Sequence, residues 1–305
     1  MPCSVQDGNE GIEQKMIGVN FNMSQIKIAV LSDIHSNLIA LDAVLDDLKE
    51  QNIDKFIIAG DHVGDGPQPG GVIKKLKSLN ALIIKGNREN YLKNYLKNKK
   101  RWDNSHQVAA IVWTYKMLNQ TQINYLFSLP EQDVINIKNK KAIRIVHGSP
   151  LSISEKLFPD KYQERLKKAL SLINEDVLIC GHTHQSWSKI MDNKLIINPG
   201  STGFCFNKKS IAEYALLYWN GKNWDVKHKQ VKFKYKEVEK EFKKSGLLKE
   251  GGPWAKAALL SIKKRSNVMV DFLEYAKRLA KKHEYDDYKL VPNEIWKKAA
   301  KHWNF

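Results

Sequence analysis

The chain has 305 residues, 42% of them hydrophobic and eight of them Trp, enough material for one large core or a core with an appendage. No apolar run reaches the roughly eighteen residues a membrane-spanning helix needs. The three cysteines, Cys3, Cys180 and Cys205, have no framework spacing, so no disulfide scaffold is expected and a reducing cytoplasm is the expected setting. The net charge is +17, and residues 221–305 hold 22 basic against 11 acidic residues, so most of the excess is C-terminal.

Residues 1–23 are polar and lack the basic head and apolar stretch of a secretory signal. They are expected to form a disordered extension, with Met23 as the natural start. Seven short, β-branched runs then read as strands: Ile26–Leu31, Phe56–Ala59, Leu82–Ile84, Ile143–Val146, Val177–Cys180, Leu195–Ile197 and Tyr214–Tyr218. Between them, 3.6-residue periodicity predicts helices at Leu38–Lys49, Val72–Leu79, Ser105–Leu118 and Lys161–Leu172. This alternation predicts an α/β layered fold over residues 24–230. From Val231 the texture changes. Lysine alternates with apolar or acidic residues as far as Lys244, glycines interrupt, and helices are expected at Trp254–Lys264, Asn267–Lys282 and after Pro292. Residues 231–305 therefore read as a basic helical appendage. Its Trp254, Trp296 and Trp303 are expected mainly to pack it onto the main domain, although its lysines and these rings also suit a polyphosphate or nucleic-acid backbone.

Five clusters of Asp, Asn and His follow apolar runs: Asp33-Ile34-His35, Gly60-Asp61, Gly86-Asn87, His147-Gly148 and Gly181-His182-Thr183-His184. One Asp at a strand end is ordinarily a turn residue. Five such clusters holding four of the nine histidines are not. In a layered sheet the carboxyl ends of strands gather at one rim, where ligands bind. The clusters together offer carboxylate, amide and imidazole donors enough for two adjacent divalent cations. Without thiolates the set suits manganese first, and iron, zinc, nickel or cobalt as well. Cys180 ends an apolar run and reads as a core thiol.

In order and spacing the clusters resemble the calcineurin-like metallophosphoesterase superfamily, with its Asp-x-His, Gly-Asp, Gly-Asn-His-Asp/Glu, His-Gly and Gly-His-x-His series. Gly-Asp-His-Val-Gly-Asp-Gly-Pro (60–67), His-Gly-Ser-Pro (147–150) and Asn-Pro-Gly-Ser-Thr-Gly (198–203) are similar to its bacterial phosphodiesterase-type branch. The resemblance implies a four-layer αββα sandwich of two mixed sheets with flanking helices. It implies that Asp33, His35 and His184 hold one metal, that Asn87, His147 and His182 hold the other, and that Asp61 bridges them. It further implies in-line attack on phosphorus by a hydroxide held between the metals, with Asp61, Asn87 and the residue after Asn87 in the catalytic machinery. The substrate implied is a small phosphorylated molecule, of which dinucleoside polyphosphates are one class. No membrane partner is expected, nucleic acid is a less favoured partner, and an oligomer is open.

Two positions depart from the pattern. Ser36 stands where the family has Gly, which matters only if that turn needs positive φ. Arg88 stands where the family has a His that touches phosphate and helps protonate the leaving oxygen. Arginine clamps phosphate well but stays protonated and is a poor general acid. Arg88 therefore points to phosphoanhydrides or diesters with good leaving groups, unless it turns outward to pair with Glu89 or Asp103. A serine/threonine protein phosphatase fits less well, because phosphoserine has a poor leaving group. A nuclease is supported only by the basic tail, and a non-catalytic metal-binding scaffold would not need all seven ligands. Asn37 is expected either to cap the helix at Leu38 or to reach the substrate phosphate. The loop Asp65–Gly71 is expected to border the cleft, and Asn198–Ser201 either braces the site or makes a simple hairpin.

Overall fold

The computed structural model describes residues 26–137, 141–206, 210–264, 266–285 and 290–305. The expectations for the N-terminal extension and for Cys3 lie outside these residues. Among the described residues there are ten strands: β1 (Lys27–Leu31), β2 (Lys55–Ala59), β3 (Ala81–Ile84), β4 (Gln132–Ile135), β5 (Ile143–Val146), β6 (Val177–Ile179), β7 (Ser186–Met191), β8 (Lys194–Pro199), β9 (Ile211–Trp219) and β10 (Trp224–Lys232). They form two mixed five-stranded sheets, in the orders β10-β9-β1-β2-β3 and β4-β5-β6-β8-β7.

Successive side chains on a strand point to opposite faces, and β1 shows the consequence. Ile28 and Val30 enter a core between the sheets with Ile57, Ile145, Ile179 and Leu217. Ala29 and Leu31 enter a second core beneath helix Leu38–Leu48. The outer face of the other sheet carries Val146, Leu178 and Ile196 against Leu166 and Leu170 of helix Gln163–Ser171. The result is helix, sheet, sheet, helix, the four-layer sandwich expected. The C-terminal helices Tyr235–Lys244, Gly252–Lys264, Val268–Lys282 and Asn293–His302 join the β1 outer core through Phe242, Ala258, Phe272 and Trp296. No helix among the described residues is long and apolar enough to cross a membrane.

All seven predicted strands appear within a few residues of their expected bounds. Strands β4, β7 and β10 were not legible in the sequence, and all three are sheet edges. These three are partly solvated and carry polar residues such as Gln132, Lys189 and Lys229, so they give no apolar run, whereas the fourth edge strand, β3, is apolar throughout. Helix Tyr235–Lys244 lies inside the lysine-alternating stretch. It buries only Val238 and Phe242, one turn apart, which is too sparse a stripe to stand out.

The topology places the five clusters together. β1, β2 and β3 are parallel neighbours, as are β5 and β6, so their carboxyl ends share one rim.

Candidate metal centre

Two groups of ligand atoms meet at that rim. Within each, the atoms lie within 4.8 Å of one another: Asp33, His35 and His184 in one, and Asp61, His147 and His182 in the other. Asn87 joins the second group, its Oδ1 lying 3.1 Å from His147 Nε2. Asp61 Oδ2 lies 3.4 Å from His147 Nε2 and 3.6 Å from His35 Nε2, so it stands between the groups. His35 Nε2 and His184 Nε2 are 3.2 Å apart. All seven predicted ligands are thus brought together.

The donor set fits divalent cations. His147 Nδ1 donates to the Ala59 carbonyl at 2.7 Å, and His184 Nδ1 to the Phe204 carbonyl at 2.8 Å. His35 Nδ1 faces Asp65 Oδ2 at 3.2 Å. In His147 and His184 the outer nitrogen is hydrogen-bonded to a carbonyl, in His35 it faces a carboxylate, and in all three Nε2 is turned inward, the arrangement that orients a metal-binding imidazole. Asp33 is fully buried, and its Oδ1 has no hydrogen-bond donor although His184 Nε2 lies 3.3 Å away. Such an oxygen is costly unless a cation meets it.

The electrostatics without metal agree. Burial works to raise the Asp33 carboxyl, but His184 and His35 hold it below the usual carboxylate range. Burial likewise works to lower His35, yet Asp33 and Asp65 push it up to about 10. His147 opposes its burial through Asp61 and rises to about 9. Burial brings His182 down to about 3 and His184 down to about 4.

Backbone strain is concentrated here. Asp33, His35, Ser36, Asp61, Asp65, His182 and His184 all have φ between +48° and +66°. The left-handed region costs an L residue about 1–2 kcal/mol, and Asp and His tolerate it better than most. Ser36 at φ +57° shows that its turn does need positive φ, and its buried hydroxyl has no hydrogen-bond partner. Glycine at that position would be unstrained.

The loops carrying the ligands are tied from behind. Glu89 is buried and accepts from four backbone N–H groups, Gly86 (2.7 Å), His62 (3.0 Å), Asp61 (3.2 Å) and Val63 (3.2 Å). It locks the Asp61 loop to the start of helix Asn87–Lys97. A Cβ on Gly86 would lie 2.2 Å from Asp61 Oδ1, so only glycine permits that approach. Asn198 braces the other side, its amide donating to the Gly181 carbonyl at 2.7 Å and to Thr183 Oγ1 at 3.1 Å. Ser201 Oγ donates to the Asp33 carbonyl at 2.8 Å. The segment at 198–203 therefore supports the site as well as making a turn.

Arg88 lines the cleft and pairs with neither Glu89 nor Asp103. Its Nε and Nη2 both donate to Asp65 Oδ2, at 2.8 and 2.7 Å, while its backbone N–H donates to Asp61 Oδ1 at 2.8 Å. Asp65 and Asp61 keep the guanidinium protonated against the pull of burial. Asn37 caps helix Leu38–Leu48, the first of its two expected roles. Its Oδ1 accepts from Ala40 N–H at 3.2 Å and its Nδ2 donates to the Gly203 carbonyl at 2.8 Å, so both ends of a buried amide are spent on the chain. His62 is buried and contacts the Ile84 carbonyl, away from the ligands. Cys180 is a buried core thiol, pushed up to about 12 by burial.

Asp65 was placed on a loop bordering the cleft, but its role was not legible. Fully buried, it contacts His35 and Arg88 and accepts from Trp254 Nε1 at 2.7 Å. Its carboxyl is held below the usual range, burial being outweighed by Arg88 and His35. The advance signals were its place in the 60–67 segment and an acidic residue four positions after Asp61. Lys156, Phe158, Phe206 and Trp254 also wall the cleft, which has a volume of about 390 Å³. Phe206 stacks on the His184 ring at 4.6 Å. None of these carries a motif, because each arrives from a segment distant in sequence.

The sequence pattern of the calcineurin-like phosphoesterase superfamily domain matches residues 26–222. The chain belongs to this superfamily. The phosphoesterase is 32% identical over 242 residues to an uncharacterized protein of Methanocaldococcus jannaschii, covering 74% of this chain and 95% of that one. It is 27% identical over 180 residues to a phosphodiesterase of the same organism, covering 57% and 83% respectively. Its fold is similar to the crystal structure of a metallophosphoesterase from Sphaerobacter thermophilus, with a TM-score of 0.62, 23% identity, and coverage of 79% of this chain and 99% of that one. As a member of a dinuclear metal-dependent family, the phosphoesterase is a hydrolase of phosphate esters.

Proposed function

We propose that the enzyme hydrolyses a phosphodiester or phosphoanhydride, with dinucleoside polyphosphates among the candidate substrates. Asp33, His35 and His184 would hold one divalent ion, Asn87, His147 and His182 a second, with Asp61 shared between them. Bound there, the ions would supply Lewis-acid polarisation of a phosphoryl oxygen and acidify water near neutral pH. Manganese suits the carboxylate and amide oxygens and is the ion to test first, while the imidazoles admit iron, zinc, nickel or cobalt as well.

The observation that carries the bond preference is the fixed pairing of Arg88 with Asp65. Two of its five N–H donors are held by Asp65, which leaves the two on Nη1 and one on Nη2 to meet phosphoryl oxygens. A guanidinium locked in this way stabilises charge on phosphoryl oxygens without reorganising. It does not give up a proton, so it offers nothing to a poor leaving group. Diesters and anhydrides with acidic leaving groups lose least by this. The similarity to an archaeal phosphodiesterase supports the same choice. The substrate is expected to be a small phosphorylated molecule in the cytoplasm.

A panel with added manganese tests the reading: bis-p-nitrophenyl phosphate, p-nitrophenyl phosphate, diadenosine tetraphosphate, a phosphopeptide and single-stranded DNA. Turnover of the diester and the anhydride ahead of the monoesters is expected. Arg88→Ala should lower kcat about 10²–10³-fold. If Arg88→His left both the rate and its dependence on leaving-group pKa unchanged, the role given to Arg88 would be wrong. Preferred turnover of the phosphopeptide would favour a protein phosphatase instead.

A further inference from the structure

A second cavity of about 290 Å³ lies against the metal cleft, and the two share Arg88 and Trp254 as walls. We infer that this cavity is a subsite for a planar aromatic group, a nucleobase, carried by the phosphorus-containing substrate. The inference rests on the phosphoesterase reading above and adds to it the part of the substrate away from phosphorus.

Three observations converge. The first is position. Arg88 faces both spaces, so a phosphoryl group near its guanidinium in the metal cleft is adjacent to anything seated in the second cavity. The second is the lining. Tyr91, Trp102 and Trp254 contribute aromatic rings and Leu273 an apolar wall, while Arg88 is the only charged group among the described lining residues. A second phosphate would find one cation, already paired to Asp65, whereas a flat neutral ring finds π-faces. The Arg88 guanidinium lies 5.5 Å from the Tyr91 ring centre and 6.0 Å from that of Trp254, so it is already part of the aromatic surface. Asn94 adds an amide suited to a base edge. The third is size. The volume lies just below the roughly 300–1,000 Å³ usual for whole-ligand sites, which suits one flat group rather than a chain of them.

The subsite is built by two regions far apart in sequence. Helix Asn87–Lys97 supplies Arg88 and Tyr91, and the C-terminal helices supply Trp254 and Leu273. Asp65 joins them by holding Arg88 and Trp254 at once. This gives the C-terminal helices a part in substrate choice that the metal-binding residues do not supply.

Inhibition of bis-p-nitrophenyl phosphate hydrolysis by adenosine monophosphate and by ribose 5-phosphate tests the subsite, because the two differ only in the base. The full-length manganese enzyme should bind adenosine monophosphate about tenfold more tightly, the scale of one base stacked on aromatic rings. Leu273→Trp, which fills the cavity, and Trp102→Leu, which removes a face, should each bring the two inhibition constants to within about twofold of one another. Equal inhibition of the wild type by both compounds would overturn the inference while leaving the phosphoesterase standing. So would a preference that survives in both variants. Calorimetric titration of the manganese-loaded chain with the same two compounds reads the same ratio without turnover. If no ester were cleaved, the function above would fail while the subsite would still be judged.

Discussion

Replacing Asp65 by Asn keeps shape and removes one charge from the centre of the site. The backbone tolerates the change, because Asn occupies the left-handed φ of +65° at least as readily as Asp. The side chain does not. Asp65 takes two donors from Arg88, at 2.8 and 2.7 Å, one from Trp254 at 2.7 Å, and faces His35 Nδ1 at 3.2 Å. Removing one partner of a buried ion pair costs about 3–5 kcal/mol. Asp61 still lies near the guanidinium, which brings the expectation to about 2–3 kcal/mol. With an unfolding entropy of ~2 cal/mol/K per residue, the metal-free protein should melt about 4 °C lower. His35 also loses the group that orients its ring, and loss of such a partner typically weakens metal binding or activity about 10–100-fold. Thermal melts of the metal-free chain and chelator competition with manganese measure the two effects separately. Trp254→Phe is the control. It keeps a ring and removes one hydrogen bond, so about 1 kcal/mol should be lost. Wild-type melting and wild-type metal affinity in Asp65→Asn would refute the view that this carboxylate couples His35, Arg88 and Trp254.

Gly86→Ala should abolish loading of the second metal, since its Cβ would stand 2.2 Å from Asp61 Oδ1; metal analysis of the purified variant, with two ions per chain retained, would contradict this. Ser36→Gly should raise stability by about 1 kcal/mol, because relief of left-handed strain and loss of an unsatisfied hydroxyl outweigh the flexibility glycine adds to the unfolded chain; denaturant midpoints decide it, and a lower midpoint counts against the strain argument. Manganese binding should release protons and tighten with pH. The carboxylates push His35 up to about 10 and His147 up to about 9, so both imidazoles are protonated near neutrality without metal and must become neutral to bind it. Affinity should rise by up to about tenfold per proton for each pH unit between pH 7 and 9, flatten above the raised values, and fall in acid; calorimetry in two buffers of different ionisation enthalpy counts the protons, and pH-independent binding over that range would rule the linkage out.

The ligands were legible because metal chemistry restricts residue type. Asp33, His35, Asp61, Asn87, His147, His182 and His184 each follow an apolar run, and the parallel strands bring those ends to one rim. The other seven strands, edge strand β3 among them, were legible because each carries a short run dominated by apolar residues. The edge strands β4, β7 and β10 and the polar helix Tyr235–Lys244 were not, because half-solvated elements take their place from long-range pairing and a few buried contacts.

What surrounds the ligands belongs to the tertiary structure. The residue pattern shows that Arg88 is unusual, but only the folded chain shows that Asp65 holds it and that Glu89 and Asp103 do not. Asn37 has the residue type of a phosphate ligand, and the fold spends it on Ala40 and Gly203. Trp254 reads as packing, and the fold sets it in the wall of the cleft with its indole nitrogen on Asp65, 189 positions away. A metal ligand is specified by the chemistry of its own side chain, which sequence records. A hydrogen-bond partner or a cleft wall is specified by what lies across the fold, and that information is distributed over residues with no fixed spacing.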